Sequence, residues 1–117
     1  MKGLISRIQK YIEDLLRLPI VVKDQFDETR FNQGVILCEL ISTKKRYSTL
    51  ANLEYKVYSQ FGDDGIIQFL TKNIVCKYKT FIEFGVESYA ESNTRFLLQK
   101  DNWSGFIMDG SPSNISS

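Results

Sequence analysis

A chain of 117 residues is long enough for one domain with a hydrophobic core and too short for two. Hydrophobic residues make up 43% and charged residues 25%, which is the composition of an ordinary folded protein. Fifteen Lys and Arg against fourteen Asp and Glu leave a net charge of +1, so no basic excess favours nucleic acid or an acidic membrane surface as a partner. The absence of histidine excludes histidine-based acid–base catalysis and the common zinc sites, and no metal site is predicted.

The cysteines and the N-terminus indicate a cytoplasmic protein. Cys38 and Cys76 stand far apart in apolar sequence without CxxC spacing, which predicts buried free thiols rather than a disulfide. Charged residues interrupt residues 1–22 repeatedly, so that this stretch predicts neither a signal peptide nor a membrane span. We therefore expect cytoplasmic localisation and no stable membrane insertion.

Apolar residues at helical spacing predict a first helix that begins near Leu4. Pro19 is expected to end it, because a proline pushes the preceding residue out of the helical region. We expect the apolar face to pack against the rest of the protein, and a helix lying on a membrane surface is the alternative. A second helix is predicted over 31–43, and residues 44–56 are predicted to form a loop with one helical turn. The side chains expected on the buried side of the second helix are Val35, Ile36, Leu37, Leu40 and Ile41.

A third helix is predicted to start at Asp63-Asp64-Gly65, ahead of an apolar face that includes Ile66 and Leu70. The two aspartates resemble metal ligands. Capping of the helix and a favourable interaction with its dipole account for them more simply.

Two short apolar runs, 80–86 and 105–108, predict buried strands, and helix formers between about 91 and 100 separate them. Asp101-Asn102 is expected to break that helix. Strand, helix and strand joined by short connections predict a βαβ unit with parallel strands, and hence an α/β fold.

Candidate binding residues fall at the ends of these strands. Gly85 follows the first strand, where a glycine lets the backbone turn and approach a ligand, and Asp109 ends the second. An acid at this distance from a glycine turn is where nucleotide-binding folds receive a ribose. An ordinary tight turn at Gly85 and an Asx turn at Asp109 are the simpler alternatives. The GxGxxG pattern is missing and Glu87 would repel a pyrophosphate, which argues against NAD or FAD.

An ordered string of motifs resembles the N-terminal part of bacterial FkbM-like methyltransferase-type proteins. The motifs are Tyr58-Ser59-Gln60-Phe61-Gly62-Asp63-Asp64-Gly65, Phe81-Ile82-Glu83-Phe84-Gly85-Val86, Glu91-Ser92-Asn93-Thr94-Arg95-Phe96, Asn102-Trp103-Ser104-Gly105 and Ile107-Met108-Asp109-Gly110-Ser111. The helices predicted from the residues make up a helical N-terminal segment over 1–57. The resemblance implies the first βαβ unit of an incomplete Rossmann-like methyltransferase fold over 58–117.

The resemblance implies S-adenosylmethionine as the cofactor and a glycan or glycolipid precursor of surface-glycan biosynthesis as the substrate. By the same resemblance Glu83 and Gly85 match the cofactor motif, and Asp109 matches the ribose-binding acid. Asn93 and Thr94 match the start of the crossover helix, whose free backbone N–H groups would face the ligand.

The short length of the chain favours an alternative function. A complete domain of this type has about five further strands, so we expect a fragment or a truncated protein that is inactive as a methyltransferase by itself. Two parallel strands expose both sheet edges, which predicts self-association or packing against a partner chain as a non-catalytic interaction domain. A nucleoside-binding regulatory module fits the same residues.

Overall fold

The computed structural model describes residues 2–43 and 49–110. Helices alternate with two short strands along this part of the chain, which confirms a mixed helix-and-strand fold consistent with the predicted α/β class. The elements are helix α1 Lys2–Thr43, a 3-10 turn Leu50–Leu53, helix α2 Asp63–Asn73, strand β1 Thr80–Phe84, helix α3 Arg95–Asp101 and strand β2 Ser104–Met108.

Helix α1 is continuous through Pro19, so the prediction that this proline ends a first helix was wrong. Proline lacks the amide that would bond to the carbonyl four residues earlier, which weakens one turn but leaves the following turns able to form. The polar stretch 23–30, which the sequence predicts as the separation between the two helices, is helical as well, and the helix continues to Thr43. The described part of the helix reaches Thr43, the last residue of the predicted second helix. The predicted helical turn is found at Leu50–Leu53, whereas residues 44–48 lie outside the described part of the chain.

The chain divides into two compact units, residues 1–32 and 33–117. In the first unit the apolar side chains on the predicted buried face are exposed: Leu4 is 64%, Ile8 51% and Leu15 58% exposed. Among the described residues, no helix combines the length and the apolar character that crossing a bilayer requires. The predicted domain boundary at 57/58 stays a prediction.

The core of the second unit is built around Phe96, Leu53 and Val57, which are each at most 1% exposed. The ring of Tyr55 meets Phe96 edge to face at a centroid distance of 6.3 Å. Gly34 brings helix α1 against this core, because a Cβ at that position would lie 2.3 Å from Val57 Cγ2.

The buried side of residues 33–43 therefore differs from the predicted one. Gly34 and Cys38 are buried, whereas Ile36, Leu37 and Leu40 are exposed. The close approach at Gly34 rotates the helix so that a small residue, rather than the largest apolar ones, faces the core. Both cysteines are free, as predicted, with Cys38 buried and Cys76 half-buried.

Strands β1 and β2 pair in parallel, which confirms the predicted pairing, with Thr80 opposite Ser104 and Phe84 opposite Met108. The prediction that both strands are buried was wrong, since Ile82, Phe84 and Phe106 are 60–75% exposed. These side chains share one face of the sheet because alternate residues of a strand point the same way. A sheet of two strands cannot cover that face by itself.

Candidate functional site

The carboxyl ends of β1 and β2 lie side by side. The Gly85 N–H donates a hydrogen bond of 2.9 Å to the Met108 carbonyl, one step beyond the last paired residues. Gly85 and Asp109 therefore follow neighbouring strands at the same end of the sheet, as the spacing predicts. Gly85 has φ +73, and no atom lies within 4 Å of the position a Cβ would take. Its backbone is turned by a conformation that favours glycine, and it borders open space.

A cleft of about 500 Å³ opens beside Gly85. Three of the four predicted site residues, Glu83, Gly85 and Asn93, line it together with Glu87, Ser88 and Gln60. Asp109 is half-buried and does not belong to this lining. The cleft lies on the β1 side of the strand ends, whereas Asp109 follows β2.

The Glu83 carboxylate is held by the segment that precedes helix α3. It accepts hydrogen bonds from the Ser92 hydroxyl at 2.8 Å, the Asn93 N–H at 2.8 Å and the Thr94 N–H at 3.1 Å. The Thr94 hydroxyl donates to the same carboxylate. The prediction that the N–H groups of Asn93 and Thr94 are free to face a ligand was therefore wrong. An ionised carboxylate is a strong acceptor, and it satisfies these donors within the chain.

This arrangement sets both the charge of Glu83 and the start of the helix. Burial opposes ionisation, but the hydrogen bonds from Thr94 and Ser92 outweigh it and lower the pKa of Glu83. Helix α3 begins only at Arg95, because residues 92–94 turn around the carboxylate, whereas the sequence predicted a start near 91. The predicted break at 101–102 is confirmed, since Asn102 takes a left-handed conformation with φ 55.

Asp64 anchors a second loop of the site. Its Oδ2 atom accepts the backbone N–H groups of Val57, Tyr58 and Ser59, each at 2.8 Å, and the residue is 1% exposed. The prediction that Asp63 and Asp64 cap the helix was wrong, because the Asp64 carboxylate binds the preceding loop instead. The residue before helix α2 is Gly62, at φ +95, which has no side chain to cap the helix, and the Asp64 N–H of the first turn donates to the Ser59 hydroxyl instead.

Two contacts join this loop to the segment that holds Glu83. The Ser92 N–H donates to the Tyr58 carbonyl at 3.2 Å. The guanidinium of Arg95 stacks over the Tyr58 ring at 4.0 Å, and one of its nitrogens donates to the Ala90 carbonyl at 2.8 Å. The loop 57–60 and the segment 88–94 thus support each other across the cleft.

Sequence reasoning missed these supporting roles of Asp64, Ser92 and Arg95. The side-chain hydrogen bonds of Asp64 and Glu83 connect residues between five and eleven positions apart, and the contacts with Tyr58 span more than thirty positions, so no helical or strand periodicity marks them. The one feature of the sequence that marks these roles is the run of small hydroxyl and acidic residues beside the loop 57–60 and the segment 88–94.

The cleft carries acidic charge. Its ionisable side chains are Glu83, Glu87 and Glu91, and none of the described residues that line it is a Lys or Arg. A cleft of this kind disfavours phosphate groups and suits a ligand with positive charge. Comparisons with protein-family models, with curated proteins and with solved structures find no match to this chain.

Proposed function

We propose that the second unit binds S-adenosylmethionine in the cleft beside Gly85, as the first part of a Rossmann-like methyltransferase-type cofactor site. The observation that carries the proposal is the position of Gly85 and Asp109 at the adjacent carboxyl ends of two parallel strands. In open α/β sheets, ligands bind outside the carboxyl ends of the strands.

The charge of the cleft supports this cofactor over a dinucleotide. S-adenosylmethionine carries a sulfonium, an ammonium and a carboxylate group, which leave it net positive, whereas NAD and FAD carry a pyrophosphate. The acidic side chains of Glu87 and Glu91 attract the two cationic groups and repel the pyrophosphate. The cleft thus favours a small cationic cofactor.

Each predicted site residue has a separate role in the proposal. Gly85 gives the cofactor close access to the backbone, since no atom lies within 4 Å of the position that a Cβ would take. Asp109 accepts hydrogen bonds from the ribose hydroxyls beyond the end of β2. The Glu83 carboxylate is occupied by hydrogen bonds from residues 92–94. Glu83 is therefore a positioning residue, which acts on the ligand through those residues. The side chain of Asn93 lines the cleft and supplies a polar contact.

The methyl acceptor belongs to the same proposal and follows from the resemblance alone. It is a glycan or glycolipid precursor of surface-glycan biosynthesis. Methyl transfer depends mainly on placing the donor carbon against the acceptor, so the absence of histidine is compatible with it.

A second candidate function rests on a different observation. One sheet face exposes Ile82, Phe84, Phe106 and Met108. A contiguous apolar surface of this kind is typical of an interaction site. On this alternative, the second unit is a non-catalytic domain whose sheet packs against a partner chain.

Calorimetric titration of the chain distinguishes the two functions. We expect S-adenosylmethionine to bind and NAD to give no heat of binding. Gly85→Val should abolish binding, because its side chain would enter the cleft. Gly110→Val, where a Cβ also meets nothing within 4 Å, should leave binding unchanged. Because Gly85, unlike Gly110, has a positive φ, circular dichroism first checks that Gly85→Val keeps the parent fold. Absence of S-adenosylmethionine binding to the parent chain would contradict the cofactor proposal and leave the interaction domain.

A further inference from the structure

The first unit presents a continuous apolar stripe along one side of helix α1. Its members recur every three or four residues, which places them on one helical face. Each is between 39% and 73% exposed. The stripe consists of Leu4, Ile8, Tyr11, Leu15, Leu18, Val22 and Phe26. So large a contiguous apolar surface is unfavourable in water and is typical of an interface.

The charges beside the stripe are separated along the helix. Residues 2–10 contain three basic side chains and no acidic one, which are Lys2, Arg7 and Lys10. Residues 24–28 contain three acidic side chains and no basic one, which are Asp24, Asp27 and Glu28. Lys23 and Arg30 flank the acidic segment, so residues 22–30 carry a net charge of −1 against +3 for residues 2–10.

We propose that residues 4–26 pair antiparallel with the same segment of a second copy of this chain. An antiparallel arrangement in which Leu4 lies beside Phe26 of the second copy also places Ile8 beside Val22. Leu15 then meets its own counterpart at the twofold axis. Every apolar position of the stripe faces another apolar region, as an isologous interface requires.

Charge selects the antiparallel orientation. It brings the basic segment 2–10 of each copy near the acidic segment 24–28 of the other. A parallel pair would place basic beside basic and acidic beside acidic. Exposed charges act on each other over about 8 Å at physiological salt, which suffices for neighbouring segments to select an orientation.

The same charges argue against a lipid surface as the partner of the apolar stripe. Membrane-surface helices are rich in Lys and Arg on the polar face. Residues 2–30 contain six basic and five acidic side chains, and the acidic segment would meet an anionic bilayer unfavourably. A second copy supplies both the apolar cover and the opposite charges.

Sedimentation of the full 117-residue chain over a concentration series tests the pairing. We expect a monomer–dimer equilibrium in the parent chain. Ile8→Gln with Leu15→Gln should raise the dimer dissociation constant at least about tenfold, because two buried apolar contacts per chain are lost. Ser6→Gln with Ile20→Gln, at neutral positions on the opposite side of the helix, should leave the constant unchanged. A parent chain that stays monomeric, or equal effects of the two double variants, would overturn the proposal.

A charge exchange tests the orientation. Replacing the three basic residues of 2–10 by Glu should weaken the dimer, and adding Lys at the three acidic positions of 24–28 should restore it. Failure of the second set to restore the dimer would overturn the antiparallel arrangement.

Binding to vesicles that contain anionic phosphatidylserine tests a membrane as the alternative partner of the stripe. If a monomeric chain binds these vesicles, the stripe contacts a membrane rather than a second copy, and the proposal is overturned. A dimer that does not bind the vesicles supports the proposal.

Discussion

Ser59 and Asp64 hold each other at the start of helix α2. The Ser59 hydroxyl donates to Asp64 Oδ2 at 2.8 Å, and the Asp64 N–H donates to the same hydroxyl at 3.1 Å. The carboxylate oxygen also accepts three consecutive backbone N–H groups, from Val57 to Ser59. A single buried acid thus fixes the loop 57–60, whose Gln60 lines the cleft.

Loss of this carboxylate should destabilise the second unit strongly. Asp64→Ala leaves three buried N–H groups without an acceptor, and we expect the free energy of unfolding to fall by about 3 kcal/mol. Asp63→Ala is the matched control at the neighbouring position, where only a dipole interaction of about 0.5 kcal/mol is lost. Urea denaturation measures both. Equal losses for the two variants would show that the loop does not depend on Asp64.

Stability at acidic pH should depend on Glu83. Because its pKa is lowered in the folded chain, the folded state binds fewer protons than the unfolded state in acid. The stabilisation is present above the ordinary glutamate pKa of 4.5 and is lost as the pH falls through the lower folded value. Denaturation of Glu83→Gln over a pH series should therefore show a smaller acid-induced loss than the parent. Glu91→Gln should follow the parent, and a parallel course of Glu83→Gln with the parent would contradict this role.

There is room for a side chain at Gly85, but the backbone conformation of the turn favours glycine. A Cβ there meets no atom within 4 Å, yet φ is +73, so Gly85→Ala should cost about 1 kcal/mol through backbone strain alone. Gly110→Ala has the same open surroundings without a positive φ, and it should be neutral or slightly stabilising. Thermal unfolding compares the two. A neutral Gly85→Ala would mean that the turn relaxes.

Local patterns in the sequence were sufficient to predict the strands and their direction. Thr80–Phe84 and Ser104–Met108 are short β-branched and aromatic runs bounded by turn residues, and a helix between them requires parallel pairing. Gly85 and Asp109 were placed correctly at one end of the sheet because the chain order fixes which strand ends are neighbours.

Features that depend on tertiary contacts were not predictable in the same way. Periodicity alone placed Ile36 and Leu40 in the core, whereas the close approach at Gly34 left them exposed. The acceptor role of Glu83 depends on residues nine to eleven positions away, which adopt that position only in the folded chain. Pro19 was read as a stop by a local rule that the rest of the helix overrides.

Replacement of Pro19 tests the continuity of helix α1. Pro19→Ala restores the missing backbone donor and should stabilise the helix by up to about 3 kcal/mol, with an increase in helical circular dichroism. Gly3→Ala is the control near the helix end and should give a smaller gain of about 1 kcal/mol or less. If the helix really stopped at residue 18, Pro19→Ala would produce a larger increase in helix content than a single restored turn explains.

The most direct test of the cofactor proposal compares two acids near the strand ends by calorimetric titration with S-adenosylmethionine. Asp109→Ala should weaken binding at least about tenfold, because charge-assisted hydrogen bonds to the ribose are each worth about 1.5–3 kcal/mol. Glu87→Ala removes a charge that lines the cleft but no ribose contact, so we expect a smaller loss of affinity. Equal affinities of Asp109→Ala and the parent chain would show that Asp109 is a turn residue and would contradict the proposed site.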